Sequence, residues 1–340
     1  MNLYGLTRKE LEDYFLSIGE KKFKATQVYE WLYDKRVTSI SEFSNIKKEI
    51  RDKLNEDFVI KLPTIIQHQS DRDAEKFLFN LEDNEKIEAV VMYHNYGISV
   101  CVSSEVGCNM GCKFCESGRL KKVRNLWAYE MVGQILAIES VLQKKISSVV
   151  IMGIGEPLDN YLEVIKFIKI INDAKGLMIG ARHITLSTCG LIPKIKELSN
   201  LDLQINLAIS LHASNDTLRN KIMPINKVYP LPDLILCIKE YINKTNRRVT
   251  IEYIMLKGIN DEKSNALELA TLLRGLNVYV NLIPYNETSH IEYKRTNKED
   301  IMKFYDVLKK NNINVIIRKE FGKGIDAACG QLRAKEVNKE

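Results

Sequence analysis

What this chain lacks narrows its possible classes. No uninterrupted apolar run approaches the roughly 20 residues needed to span a bilayer, and the amino terminus MNLYGLTRKE carries no apolar core of an export signal. No membrane association is expected, and the cytoplasm is the expected location. Internal repeats and low-complexity segments are missing too. A disulfide framework is equally out of keeping: the cysteines number seven, an odd count with three packed together, which argues for thiol or metal chemistry in a reducing compartment. The 340 residues, 45% hydrophobic and 28% charged, make an ordinary globular protein, long enough for a barrel of about 250 residues and an accessory unit. The net charge of +6 permits an acidic partner such as RNA without demanding one.

Against that background the stretch Gly107 to Gly118, GCNMGCKFCESG, stands out. Cys108, Cys112 and Cys115 form a CxxxCxxC pattern, and the glycines at 107, 111 and 118 let the loop turn tightly enough to bring the sulfurs to one centre. A 4Fe-4S cluster is normally held by four thiolates, so three leave one iron open to another ligand. The alternative is a structural zinc site completed by Cys101 or one of the five histidines.

Residues 1–60 read as a small helical unit. Thr7 and Glu10 form a capping box, and Leu11, Tyr14, Phe15 and Ile18 make one apolar face. A second helix carries Val28, Trp31 and Leu32. A third presents Ile46, Ile50 and Leu54 opposite Lys47, Lys48, Arg51 and Lys53, a basic face that is either solvated or in contact with RNA. Residues 61–95 are linking strands, and the period-two segments FVIKL, KFLFNL, IEAVVMY and ISVCVSS predict strands leading to the cysteine loop. Strands and helices then alternate through a core at 96–320, the rhythm of a parallel α/β sheet. Six or seven such units predict a partial (β/α)6-type barrel, with active groups at the carboxyl ends of its strands.

The remaining motifs fall at those ends. Gly155 and Glu156 lie in IGEPLDN, where the glycines allow backbone to approach a ligand and Glu156 can accept hydrogen bonds from an ammonium or ribose group. Ser187 ends the next strand, and Ser210, Leu211 and His212 the one after. His212 and Asn286 fit equally a structural hydrogen bond or a ligand contact. In the carboxyl-terminal segment 321–340, Cys329 sits among Ala327, Ala328 and Gly330, a setting that favours reactivity over packing. Cys101, at the end of its strand, could point into the same space, whereas Cys189 and Cys237 read as small buried hydrophobes.

In order and spacing, CxxxCxxC at 108 to 115, GIGEPLDN, ITLSTCG, LAISLHA, KIMPINKVYP, VNLIPYN and IDAACGQL resemble the radical S-adenosylmethionine (SAM) adenine methyltransferases of the RlmN/Cfr type. The resemblance spans nearly the whole chain. It implies methylation at carbon 2 of an adenosine in the peptidyl-transferase region of 23S rRNA, and of an adenosine beside the tRNA anticodon; the Cfr branch modifies carbon 8 instead. Carbon 2 is electron-poor and cannot attack a sulfonium methyl as a nucleophile, so a radical is needed. The resemblance further implies that Cys108, Cys112 and Cys115 hold a 4Fe-4S cluster reduced by an external electron donor. SAM is then surrounded by Gly155, Glu156, Ser187, Ser210, Leu211, His212 and Asn286. Cys329 becomes S-methylated, Cys101 resolves the adduct by forming a disulfide with Cys329, and Glu88 matches a proton acceptor.

The chain departs from the commonest family forms at Glu116, Asp159 and Cys189. The carboxylate of Glu116 is expected to lower the cluster's reduction potential. Pro157 matches the carbon-2 branch. Arg119, Lys121, Lys122 and Arg124, after the loop, predict phosphate contacts to an RNA whose target base is unstacked.

Overall fold

The computed structural model describes residues 1–325 and 331. Its accessory unit comprises α1 (Arg8–Ser17), α2 (Lys24–Tyr29) and α3 (Lys48–Asp57). The capping box is formed: Thr7 Oγ1 accepts the Glu10 N–H at 3.2 Å, and the Glu10 carboxylate accepts the Thr7 N–H at 2.7 Å. Leu11, Phe15, Val28, Leu32, Ile50 and Leu54 are buried and merge with the core of the barrel. Arg8 adds a two-oxygen contact to Asp173, at 3.2 and 3.0 Å.

Three antiparallel strands, β1 (Thr64–Ser70), β2 (Ala74–Asn80) and β3 (Lys86–His94), lead to β4 (Gly97–Val102). A short ribbon of β5 (Glu105–Val106) and β6 (Arg124–Asn125) brackets the cysteine loop. There follow α4 (Ala128–Leu142), β7 (Ser148–Ile151), α5 (Tyr161–Asn172), β8 (Ile184–Thr188), α6 (Ile192–Leu198) and β9 (Asn206–Ser210). The series continues through α7 (Asp216–Ile222), α8 (Leu231–Thr245), β10 (Val249–Met255), α9 (Lys263–Leu272), β11 (Val278–Pro284), α10 (Lys298–Lys310) and β12 (Val315–Ile317).

All but the ribbon join one ten-stranded sheet, ordered β1-β2-β3-β4-β7-β8-β9-β10-β11-β12. Every pairing from β4 to β12 is parallel. β1 and β12 stand at opposite ends of the order, so the barrel is open. Val149, Ile151, Ile184, Leu186, Leu207 and Ile209 face the helices and are nearly inaccessible, as expected for a sheet covered by its crossover helices.

Three segments differ from the sequence expectation. FVIKL, residues 58–62, is not a strand: Phe58 closes α3 through its N–H to Leu54 O, and Val59 makes only an isolated bridge with Asn2. The strand in that region is TIIQHQS, an edge strand that alternates between exposed and half-buried positions. Its polar residues hid the period. α7 is seven residues long and capped by Asn215, whose side chain accepts the Leu218 N–H at 2.9 Å. It is too short to show helical periodicity.

Gly153, just past β7, has no room for a side chain. A Cβ there would lie 2.7 Å from the backbone of Val102 and Ser103, which are fixed in or beside β4. Gly153→Ala is expected to cost about 1–3 kcal/mol, measured as a lower urea midpoint; an unchanged midpoint would contradict this packing.

Candidate active site

The cysteine loop is pinned by its own backbone. Cys108 N–H donates to Leu120 O at 3.0 Å, Cys115 N–H to Cys112 O at 3.2 Å, and Gly118 N–H to Cys115 O at 3.1 Å. Lys113 N–H reaches Ile222 O at 2.9 Å, which ties the loop to α7. Gly107 combines a φ of +76° with a site where a Cβ would come within 2.2 Å of Lys121 O. No other residue fits there.

Cys108, Cys112 and Cys115 line one cavity. Burial pushes the Cys108 thiol up to about 12. Cys112 is pushed well above its ordinary value by burial and by the other two thiols, with Arg219 pulling the other way. Left to themselves these groups stay protonated, and a cationic iron centre would supply the stabilisation that thiolates need there. Among the described residues no three His, Cys, Asp or Glu side chains converge tightly enough for a single ion. Sulfurs around one tetrahedral zinc would sit about 3.8 Å apart, from bonds of about 2.3 Å. The three soft donors therefore suit a multi-iron cluster better than the zinc alternative.

Across the cavity stand Gly155, Glu156, Ser187, Ser210 and His212. Glu156 is 4% exposed; Oε1 accepts the Leu158 N–H at 3.0 Å and Oε2 the Cys189 N–H at 2.8 Å. Burial raises its pKa, and the Thr188 and Cys189 side chains add hydrogen bonds to the same carboxylate. The glycines before it serve packing: a Cβ on Gly155 would fall 2.6 Å from the Glu105 side chain. Glu105 in turn accepts the Glu156 N–H at 2.9 Å. Ser187 Oγ and Ser210 Oγ are 3.4 Å apart.

His212 has a left-handed φ of +59°. That conformation lets its backbone N–H reach Glu252 O at 3.2 Å while Nδ1 accepts the Ile254 N–H at 3.1 Å. Its ring stands edge-on to Phe114 at 4.9 Å. Burial, followed by the charge of Arg219, lowers its pKa to about 3. With Nδ1 accepting, the neutral ring carries its proton on Nε2 and can only donate there.

The other sequence candidates lie elsewhere. The Leu211 side chain packs into the main core and does not line the cavity; its N–H goes to Glu252 O and its carbonyl accepts from Arg219. Asn286 is half-buried beyond β11 and is also off the cavity wall. Glu88 on β3 is buried with Lys76 Nζ at 3.5 Å. Cys101 on β4 pairs with Val90 and Val150 and packs against the small apolar cluster that contains Phe321, as Ile325 also does. Cys329 lies outside the described residues. The chain on either side of it is anchored: Gly322 and Gly324 donate to Asp73 and Asp71 at 3.2 and 3.0 Å, and Gln331 Nε2 donates to Glu287 O at 3.2 Å.

The basic stretch needs correction. Lys122 is 15% exposed between Glu105 at 2.5 Å and Asp159 at 2.6 Å. Arg124 binds Glu130 through two nitrogens, each at 2.8 Å, and Asp83 at 2.6 Å. Both cations are spent on internal carboxylates, which leaves Arg119 and Lys121 exposed. Glu116 is 4% exposed. Cys189, read as a plain hydrophobe, lines the cavity. Arg219 and Glu252 had no sequence signal, because neither sits in a recognisable spacing.

His212 is expected to stay neutral throughout the stable pH range. Its pKa is depressed below the unfolded value, so folding is favoured above that value and the benefit is lost as pH falls towards 3. NMR of the labelled ring should show no titration between pH 8 and pH 5; a midpoint near the ordinary histidine value of 6.5 would contradict the assignment.

Comparisons with known proteins agree with this geometry. Residues 1–60 match the model of the ribosomal RNA large subunit methyltransferase N-terminal domain, and residues 102–270 match the radical SAM superfamily. A protein of Enterococcus faecalis named probable dual-specificity RNA methyltransferase RlmN is 56% identical over 100% of this chain and 98% of its own length. A Spiroplasma citri protein of the same name is 51% identical over 98% of this chain and 97% of its own. The crystal structure of a radical SAM methyltransferase from Sphaerobacter thermophilus superposes with a TM-score of 0.92 at 38% identity, over 98% of this chain and 100% of that one. The chain belongs to the RlmN family of the radical SAM superfamily.

Proposed function

We propose that this chain is a radical SAM methyltransferase acting on carbon 2 of an adenosine in 23S rRNA and of an adenosine in tRNA. The observation that carries the reading is the convergence of three loop cysteines, Glu156, Ser187, Ser210 and His212 on one cavity at the carboxyl ends of parallel strands. The relatives reported above bear the RlmN name, and Pro157 lines the same cavity; both favour carbon 2 over the carbon-8 branch. The cofactors are a 4Fe-4S cluster and SAM, which when bound supply the one-electron chemistry and the methyl group that an electron-poor ring carbon requires.

The chain's own residues do the rest. Cys108, Cys112 and Cys115 hold the cluster by three thiolates. Glu156, fixed by two backbone N–H groups, presents its carboxylate to the methionine ammonium. Ser187 and Ser210 offer hydroxyls, and His212 donates from Nε2 to an acceptor on the nucleoside side. Leu211 and Asn286, off the cavity wall, belong to the same set of SAM residues by resemblance, with Leu211 fixing the end of β9 through its bonds to Glu252 and Arg219. Cys329 accepts a methyl on sulfur, a displacement for which a thiolate is competent. Cys101 resolves the adduct by pairing with Cys329, a role supported by its place on the same apolar cluster as Phe321 and Ile325, near the start of the terminal segment. Glu88, on the same face of β3 as Val90, is the proton acceptor. An external electron donor and RNA are the partners. Among the described residues no helix is long and apolar enough to cross a membrane, and the reading places the enzyme in the cytoplasm beside its RNA substrates.

Two measurements test this. Mass spectrometry of RNA from an anaerobic reaction should show 2-methyladenosine. Cys329→Ala should bind iron yet transfer no methyl, and Cys101→Ala should stall with RNA bonded to protein; release of methylated RNA by either variant would overturn the cysteine roles. Separately, Arg119→Ala and Lys121→Ala should each reduce the salt slope of RNA binding by about 1, the loss of one phosphate contact. Lys122→Ala should instead lower stability, because it strands buried Glu105; an unchanged slope in the first two variants would move the RNA surface elsewhere.

A further inference from the structure

Among the described residues, one buried cation has no carboxylate in direct ion-pair contact. Arg219 on α7 is 0% exposed, and neutral oxygens alone hold its guanidinium. Nε donates to Leu211 O at 3.2 Å, Nη1 to Asn226 Oδ1 at 2.8 Å, and Nη2 to Cys189 O at 2.6 Å and Ser210 O at 3.4 Å. The carboxylate of Asp216 is one residue removed: Asn226 Nδ2 donates to it at 2.6 Å. Desolvating a full charge against neutral acceptors is costly, and a purely structural clamp could be built from neutral donors. The retained charge therefore calls for a negative group in the same low-dielectric region.

The cysteine loop provides that group. It is joined to α7 by the Lys113 N–H to Ile222 O bond, Met223 at the end of α7 lines the cavity, and Cys189, whose carbonyl Arg219 holds, lines it beside Cys112. Three thiolates there outweigh the charge of an oxidised 4Fe-4S core by one unit, and each added electron deepens the imbalance. We propose that Arg219 is the counter-charge of the cluster site, raising the cluster's reduction potential while it clamps the ends of β8 and β9 that carry Ser187 and Ser210. The proposal rests on the reading of Cys108, Cys112 and Cys115 as cluster ligands. It makes Arg219 a positioning and electrostatic residue, with no contact to substrate.

Redox titration followed by EPR on the anaerobically reconstituted full chain, without SAM or RNA, tests it. Iron content and circular dichroism establish that each variant is loaded and folded. Arg219→Met is expected to shift the midpoint to a more negative potential, and Arg219→Lys, which keeps the charge but cannot reach every acceptor, to stay near the parent. Equal shifts in both, or none in Arg219→Met, would overturn the charge role. If Arg219→Met fails to hold iron, Asp216→Asn decides. Asp216 Oδ1 accepts both from Asn226 and from the Leu231 N–H at 2.8 Å, so an amide oxygen can keep both bonds while the field of Arg219 is left less opposed. A more positive midpoint supports the proposal, and an unchanged or more negative one overturns it. A parent chain that binds no iron at its loop cysteines would instead defeat the cluster reading itself, and the proposal with it.

Discussion

Three thiols facing one cavity from one short loop set the terms for everything around them. Burial and the neighbouring thiols oppose ionisation of Cys108 and Cys112, so the surrounding chain must keep the loop closed and near a compensating charge. The loop closes through backbone hydrogen bonds and through Gly107 and Gly118, which leave no space for a Cβ. The β5–β6 ribbon seals its two ends together. Parallel strands then deliver Glu156, Ser187, Ser210 and His212 to the facing wall, since successive strands of such a sheet finish at the same edge. An active site assembled this way depends on short-range geometry within the loop and on long-range register in the sheet.

Internal neutralisation is the second theme. Charges near the loop are paired in the protein before any partner arrives: Lys122 with Glu105 and Asp159, Arg124 with Glu130 and Asp83. These pairs fix the base of the loop and orient Glu105, whose other oxygen holds the Glu156 N–H. A cation count along the sequence thus overstates the surface available to RNA. Of the four cations, Arg119 and Lys121 are the exposed ones.

Much of this was legible beforehand, for identifiable reasons. Helices with long apolar faces, such as Tyr161–Asn172 and Lys298–Lys310, and strands buried on both sides, such as Val249–Met255, announce themselves by periodicity. TIIQHQS did not, because an edge strand exposed on one side and half-buried on the other has no apolar period. FVIKL misled because Phe58 belongs to the helical core rather than to a sheet face. At the site, residues fixed by motif spacing were readable, and those recruited by tertiary contact were not. Arg219 meets the ends of two strands that precede it in sequence, and Leu211 turns its side chain into the core because its backbone is committed to Glu252 and Arg219.

The proposed chemistry depends on one iron that no protein side chain occupies. Pulsed EPR of the reduced cluster with SAM labelled with nitrogen-15 in its amino group and oxygen-17 in its carboxylate examines that position directly. Hyperfine coupling to both labels, present only after SAM is added, is the expected result. A fourth protein ligand on that iron, or a spectrum indifferent to the labels, would contradict the account.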